Sequence, residues 1–216
     1  MHLSWYGQSC FKIQTKDATI VVDPFDRGAT GLEPPRGKAD VALFTHKHAD
    51  HAQSGYHNAE FVIAGPGEYE SKGVHFYGFP VPHDDAGGKR LGFSTAFLIE
   101  ADDLCVLHMG DFGAGSLTHE EIDEIGDVDI LLIPVGGSYT LDGEGAEKIV
   151  RQVEPRVVIP MHYGLPRLKM KLDGVEKFLR EMGAGKTEAI PKFVVKKKDL
   201  KEDGTEVVVL GLATGE

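Results

Sequence analysis

The sequence has only two cysteines, Cys10 and Cys105, and they are far apart. This scarcity excludes a disulfide-dense scaffold and a structural zinc site built from several thiolates, because both need clustered cysteines. Each cysteine lies alone inside a strand-like run, which favours buried free thiols over a disulfide. We therefore expect a cytoplasmic protein in which both thiols are free.

Long apolar runs and an excess of positive charge are also missing. No stretch approaches the about 20 apolar residues that span a bilayer. The start, MHLSWYGQSC, has no basic patch followed by an apolar core, as a signal peptide would. A formal net charge of −11 disfavours broad binding to nucleic acid but leaves room for a local basic groove. We expect a small-molecule substrate and no membrane partner, and the oligomeric state stays open.

The order of apolar runs predicts an α/β protein. The 216 residues suit a single domain, residues 1–216. The first half is rich in short strands such as LSWYG and DVALF, and helices enter between the continuous apolar strands DILLIPV and RVVIPM. Two packed sheets with helices outside fit this order, and a single mixed sheet with helices on one face is the alternative.

Local signals mark the helices and the last strands. The segment LTHEEIDEIG predicts a helix, because Thr118 and Glu121 are spaced as a capping box. EGAEKIVRQVEP has helical spacing and stops before Pro155, and LDGVEKFLREMGAG ends at glycine. KFVVKKKDL and TEVVVLG are typical of a closing hairpin.

The segment THKHADH, residues 45–51, concentrates three histidines and an aspartate directly after an apolar strand. Burying that many ionisable groups without a metal would be costly, and exposure would leave their spacing unexplained. Three further strands are followed by His83, Asp111 and His162. If these strand ends lie on one edge of the core, the side chains converge. Imidazole and carboxylate suit zinc, and also manganese or iron.

At these residues the sequence resembles the metallo-β-lactamase superfamily, whose signature is HxHxDH. His83, then Asp111 in HMGDFG, then His162 in IPMHYG follow in the same order, and the resemblance runs from about Leu3 to Tyr163. WYGQSCF, LHMGDFG, PVGGSYT and PMHY are similar to the small branch that contains ascorbate 6-phosphate lactonase-like zinc-dependent hydrolases. The resemblance implies a four-layer αββα sandwich with the metals at one edge.

The resemblance also implies a binuclear metal centre. It assigns His46, His48 and His83 to the first divalent ion, most simply Zn²⁺ with Mn²⁺ or Fe as alternatives. The second ion would be bound by Asp50, His51 and His162, with Asp111 bridging the two.

Other residues receive roles beside the metals. Asp50 is expected to orient the nucleophile or shuttle a proton. Tyr163 either donates to a developing oxyanion or, as the favoured alternative, is an ordinary packed tyrosine. His108 is either a ligand or a hydrogen-bonding partner of one, or simply a core histidine. Asp23 in IVVDPFD resembles the early aspartate that braces the metal loop.

The function implied is metal-assisted hydrolysis of an ester, lactone or phosphoester-type bond by a metal-activated hydroxide. Ribonuclease or phosphodiesterase activity and promiscuous β-lactamase activity in the same site are alternatives. A mono-iron sulfur dioxygenase fits the ligand types as well, whereas a metal-bearing binding module without turnover is less favoured.

Overall fold

The computed structural model describes residues 1–48, 51 and 59–213, and within them two mixed sheets form the centre of the fold. The first sheet has six strands, in the spatial order β13-β1-β2-β3-β4-β5. Strand β4 is parallel to β3 and β5. Its carboxyl end leads into the histidine-rich segment. Its strands are β1 (His2–Gly7), β2 (Cys10–Gln14), β3 (Thr19–Val22), β4 (Val41–Leu43), β5 (Phe61–Ile63) and β13 (Phe193–Val194).

The second sheet has seven strands, in the order β14-β11-β10-β9-β8-β7-β6. Strands β6 to β9 are antiparallel neighbours, whereas β9, β10, β11 and β14 run parallel. Their bounds are β6 (Gly67–Ser71), β7 (Val74–Pro82), β8 (Phe93–Ala101), β9 (Leu104–His108), β10 (Ile130–Pro134), β11 (Val157–Met161) and β14 (Glu206–Val207). A separate parallel pair joins β12 (Ala189–Ile190) to β15 (Val209–Leu210).

Residue alternation explains how the sheets pack. In β3, Ile20 and Val22 lie in the large apolar core shared with the second sheet, whereas Val21 packs in a smaller cluster on the opposite face. This is the two-residue period of a strand with a different neighbour on each side. Every residue of β10 and β11 is buried, as expected for strands covered on both faces. Two sheets are therefore present, and the single mixed sheet is wrong.

Helices cover the outer faces and complete the αββα sandwich. Ala146, Ile149 and Val150 direct one face of the amphipathic α3 into the large core. The predicted capping box at α2 is confirmed, since Thr118 and Glu121 each accept the other's backbone N–H. None of the helices in the described part of the chain is long and apolar enough to cross a membrane. The helices are α1 (Arg27–Thr30), α2 (His119–Ile125), α3 (Gly143–Val153) and α4 (Glu176–Glu181), with a 3-10 turn at Lys197–Asp199.

The predicted closing hairpin is wrong, because its two segments pair with different sheets. Strand β13 adds to β1 in the first sheet, and β14 adds to β11 in the second. Each addition satisfies backbone groups of a strand that would otherwise be a sheet edge. It also buries Val195 and Val208 in the core. Both cysteines are free thiols, as the sequence predicted, but only Cys10 is buried and Cys105 is half-buried.

Candidate metal centre

The strand ends converge as the sequence predicted. The carboxyl ends of β4, β7, β9 and β11 all deliver polar side chains to one edge of the sandwich. Of the predicted ligands, Asp50 lies outside the described residues, and the structure brings the others together: His46, His48, His51, His83, Asp111 and His162.

Asp111 is the centre of this group. Its side chain is almost fully buried, with 2% of the residue exposed. Four imidazole nitrogens surround one carboxylate oxygen, Oδ2. Their Nε2 atoms lie 3.2 Å (His51), 3.3 Å (His83), 3.5 Å (His162) and 3.8 Å (His46) from it. Imidazole nitrogens on several sides of a carboxylate oxygen are a donor set that suits divalent ions.

The electrostatics of the group are those of a site that needs positive charge. Burial opposes ionisation of Asp111, but the charges of His162 and His51 and hydrogen bonds from nearby histidines hold the pKa of its carboxyl well below the usual range. Burial, and then repulsion from His51, lowers the pKa of His46 to about 4. A neutral imidazole keeps a lone pair for a metal, so divalent ions can supply the charge that protons would otherwise provide.

The donor atoms fit divalent metal ions. One atom each from His46, His48 and His83 lies within 4.8 Å of the others, and this is the trio predicted for the first ion. His46, His51 and Asp111 form a second such group. Nδ1 of His83 donates to the carbonyl of Tyr139 at 3.2 Å, which leaves Nε2 facing Asp111. Imidazole and carboxylate donors of this kind suit zinc, manganese or iron.

Asp23 braces the histidine-rich segment. Its Oδ2 lies 2.9 Å from Nδ1 of His51 and accepts the Thr45 hydroxyl at 2.6 Å, while Oδ1 accepts the Thr45 backbone N–H at 2.8 Å. Burial lowers the pKa of His51, but Asp111 and Asp23 outweigh it and raise that pKa well above normal. The carboxylate therefore fixes which ring nitrogen of His51 faces Asp111, as carboxylates behind metal-ligating histidines do.

His108 acts through its neighbours in this structure. Its Nε2 lies 2.8 Å from the Ser9 carbonyl oxygen, and its Nδ1 accepts the Gly110 N–H at 3.1 Å. Burial lowers the pKa of its imidazole. The Ser9 hydroxyl in turn donates to Oδ1 of Asp111 at 3.1 Å. These contacts describe a positioning residue for Asp111, and the catalytic role of His108 stays a prediction.

Tyr163 lies beside the last histidine but packs as a core residue. Its ring is 4.8 Å from that of Trp5, centroid to centroid, and the residue is 5% exposed. Burial raises the pKa of its phenol, so the hydroxyl stays a neutral donor. Donation to an oxyanion remains a prediction.

The PVGGSYT segment touches both sides of the centre. A Cβ on Gly136 would lie 2.2 Å from the carbonyl oxygen of His162, so only glycine allows this approach. Three residues later, the Tyr139 carbonyl accepts the proton of His83. The segment therefore serves as a turn that packs against the loops carrying His83 and His162.

Sequence reasoning missed the roles of two residues in the turn between β1 and β2, Gln8 and Ser9. The Gln8 amide nitrogen is 3.3 Å from Nε2 of His162 and 3.4 Å from the sulfur of Met170. Ser9 holds Asp111, as described above. In the sequence, WYGQSCF was used only as evidence for the family resemblance. Its two polar residues between strands, Gln8 and Ser9, nevertheless indicate a buried hydrogen-bonding role.

Asp84 fixes the loop that follows His83. Its carboxylate accepts backbone N–H groups of Ala86, Gly88, Arg90 and Leu91 at 2.7 to 2.9 Å. These bonds, led by that from Leu91, lower the pKa of Asp84 to about 2. We refer to residues 84–91 as the pinned loop.

Comparison with known proteins gives consistent similarities. The family described as Beta-lactamase superfamily domain matches residues 2–162, a range that includes every predicted metal ligand. The UPF0173 metal-dependent hydrolase of Salinibacter ruber is 30% identical over 88% of this chain and 100% of its own length. Its counterpart in Methanoculleus marisnigri is 31% identical, over 80% and 86% respectively. A crystal structure from Thermotoga maritima, named as a Zn-dependent hydrolase of the metallo-β-lactamase superfamily, has a TM-score of 0.77 at 32% identity, covering 97% of this chain and 99% of its own.

Proposed function

The chain belongs to the metallo-β-lactamase superfamily and to its UPF0173 metal-dependent hydrolases, and on that premise we propose that it is a binuclear enzyme. The bond cleaved is an ester, lactone or phosphoester-type bond of a small molecule. Zinc is the expected metal, with manganese or iron as alternatives.

The position of Asp111 carries this proposal. An ion held by this carboxylate oxygen would have three further tetrahedral positions, and four imidazole nitrogens lie 3.2 to 3.8 Å from that oxygen. His46, His48 and His83 form one group of donors, and His46 also belongs to a second group with His51 and Asp111. The remaining histidines, His51 and His162, face the same oxygen and would serve the second ion.

The chain's own residues supply orientation. Divalent ions bound here would lower the pKa of a water molecule and polarise the substrate oxygen. Ser9 holds Asp111 and is itself held by His108, and Asp23 holds His51, so the donor atoms need little rearrangement to bind. Asp50, which lies outside the described residues, is proposed to orient the nucleophile or to shuttle a proton.

The lactonase-like assignment and the other substrate classes are finer proposals. The net charge of −11 speaks against a nucleic-acid substrate. An iron dioxygenase would need a single iron, and the two overlapping donor groups favour two ions instead. The cytoplasmic location also stays a prediction of the sequence.

Elemental analysis tests the proposal directly. We expect about two zinc or manganese ions per chain in protein purified without added metal, and about one in His51→Ala. His119→Ala, at the first residue of α2 away from the site, is the matched control and should keep both ions. One ion in the wild type, unchanged by His51→Ala, would contradict the binuclear centre, and a single iron would favour the dioxygenase. Lactones, carboxylic esters and phosphodiesters are then screened with the loaded enzyme.

A further inference from the structure

A small cavity adjoins the metal centre and is mostly apolar. Its volume is about 200 Å³. A cavity of about 150 Å³ holds benzene, so this one accommodates a benzene-sized group or slightly more. Three predicted metal ligands and three larger side chains line it: His48, His83, Asp111, Leu91, Tyr139 and Met170.

Two of the apolar side chains are unusually exposed for their size. Leu91 is 40% exposed and Tyr139 is 48% exposed. Large apolar side chains left open beside a polar centre mark a surface on which another molecule is buried.

Leu91, Tyr139 and Met170 are each connected to the metal centre by hydrogen bonds of their own segments. Leu91 belongs to the pinned loop, which starts directly after His83, and its backbone N–H is held by Asp84 at 2.7 Å. The Tyr139 carbonyl accepts the proton of His83. The sulfur of Met170 accepts the amide of Gln8, which also contacts His162. The cavity therefore keeps a fixed distance from the donor atoms, as a substrate pocket must.

The cavity is poorly suited to an anionic group. Among the described residues that line it there is no lysine or arginine. Arg90, next to Leu91, forms an ion pair with Asp85. A phosphate or carboxylate placed between these three apolar side chains would lose water without gaining a cationic partner.

We propose that this cavity selects a neutral apolar group of the substrate, a short aliphatic or aromatic acyl or lactone substituent, next to the bond that is cleaved. The inference rests on the proposed function, because it names the substrate class of the same site. It separates the enzyme from those whose substrates carry a phosphate beside the reacting bond.

The test compares two thiols that offer the same sulfur to the metal-loaded protein, benzyl mercaptan and mercaptoacetate, by calorimetry. We expect the wild type to bind benzyl mercaptan at least about tenfold more tightly, the scale of one or two methylenes in a hydrophobic pocket. Leu91→Lys should reduce or reverse that preference, because it places a cation in the wall. Equal affinities, or tighter binding of mercaptoacetate by the wild type, would overturn the proposal.

Phe93→Lys is the matched control. Phe93 follows the pinned loop closely and is 61% exposed, but it does not line the cavity. The same charge change there should leave the thiol preference unaltered, and a shift equal to that of Leu91→Lys would contradict the assignment of the wall. Metal content is measured for each variant.

Hydrolysis is assayed separately, with butyryl, benzoyl and succinyl esters of one leaving group. A thiol preference without cleavage of any ester, lactone or phosphoester would uphold the pocket and refute the bond class. Cleavage with a preference for the succinyl ester would uphold the bond class and refute the apolar pocket.

Discussion

Two buried aspartates lie at opposite ends of neighbouring strands in the second sheet and show how differently the chain neutralises a carboxylate. Asp129 precedes β10, and Asp111 follows β9, its parallel neighbour. The residues are 3% and 2% exposed. Asp129 accepts hydrogen bonds from the Lys197 ammonium at 2.7 and 2.8 Å and lies 3.5 Å from Nε of Arg156. Among the residues that the structure describes, the potentially charged partners of Asp111 are imidazoles.

The difference separates a structural carboxylate from a functional one. Lysine and arginine keep their charge at neutral pH, so Asp129 is neutralised permanently. Imidazoles are neutral or charged according to conditions, and in the neutral form they bind metals. Asp129 therefore receives its compensating charge from lysine and arginine, whereas Asp111 receives it from histidines that could exchange it for the charge of a bound ion.

The largest expected effect tests the functional side of this comparison. Asp111→Asn should reduce hydrolytic turnover at least about 100-fold, because the bridging charge between the ions is lost. The variant should also hold fewer metal ions after dialysis. Turnover and metal content are measured together. Near-normal values of both would show that Asp111 is no bridge.

Metal removal should destabilise the wild type. An ion present at about a thousand times its dissociation constant contributes about 4 kcal/mol to the free energy of unfolding. Denaturant titration with and without chelator measures this difference. We expect it to be much smaller in Asp111→Asn and unchanged in Asp129→Asn. A chelator effect that is equal in all three proteins would break the distinction between the two aspartates.

Asp23→Asn should weaken metal binding without removing a ligand. Partners that orient a metal-bound histidine commonly contribute 10- to 100-fold in affinity, and Asp23 lies 2.9 Å from His51. Competition with a chromophoric chelator measures the affinity. Asp84→Asn is the control, since Asp84 binds only backbone N–H groups of its own loop and should leave the affinity unchanged.

The smallest effect is expected at the structural aspartate. Asp129→Asn should lower the free energy of unfolding by about 1.5–3 kcal/mol, the range for hydrogen bonds to a charged group. The lower end applies because Lys197 is half-exposed. Metal content should equal that of the wild type. Loss of an ion in this variant would mean that the environment of Asp129 influences metal binding at Asp111.

Much of the fold and of the site was predictable because it depends on local rules. The capping box of Thr118 and Glu121 needs only residues three apart. The convergence of His83, Asp111 and His162 follows from strand ends meeting at one edge.

Other features depend on distant partners and left no local signal. The closing hairpin was wrong because each segment forms strands of only two residues, whose pairing is decided by free sheet edges elsewhere. The contact of Gln8 with His162 joins residues 154 positions apart. The same holds for Leu91 and Met170, which line one cavity although the sequence between them spans several elements.

The pinned loop combines a fixed backbone path with side chains that can vary. Its backbone is held by the carboxylate of Asp84 rather than by the metal donors, and the amide groups it fixes are common to every amino acid except proline. Gly87 and Gly88 have positive φ and are constrained to glycine, but the side chains at positions 86 and 89–91 can change over generations while the loop keeps its path. A lineage of such proteins could acquire new substrates by substitution at Leu91 alone, without passing through an inactive ancestor.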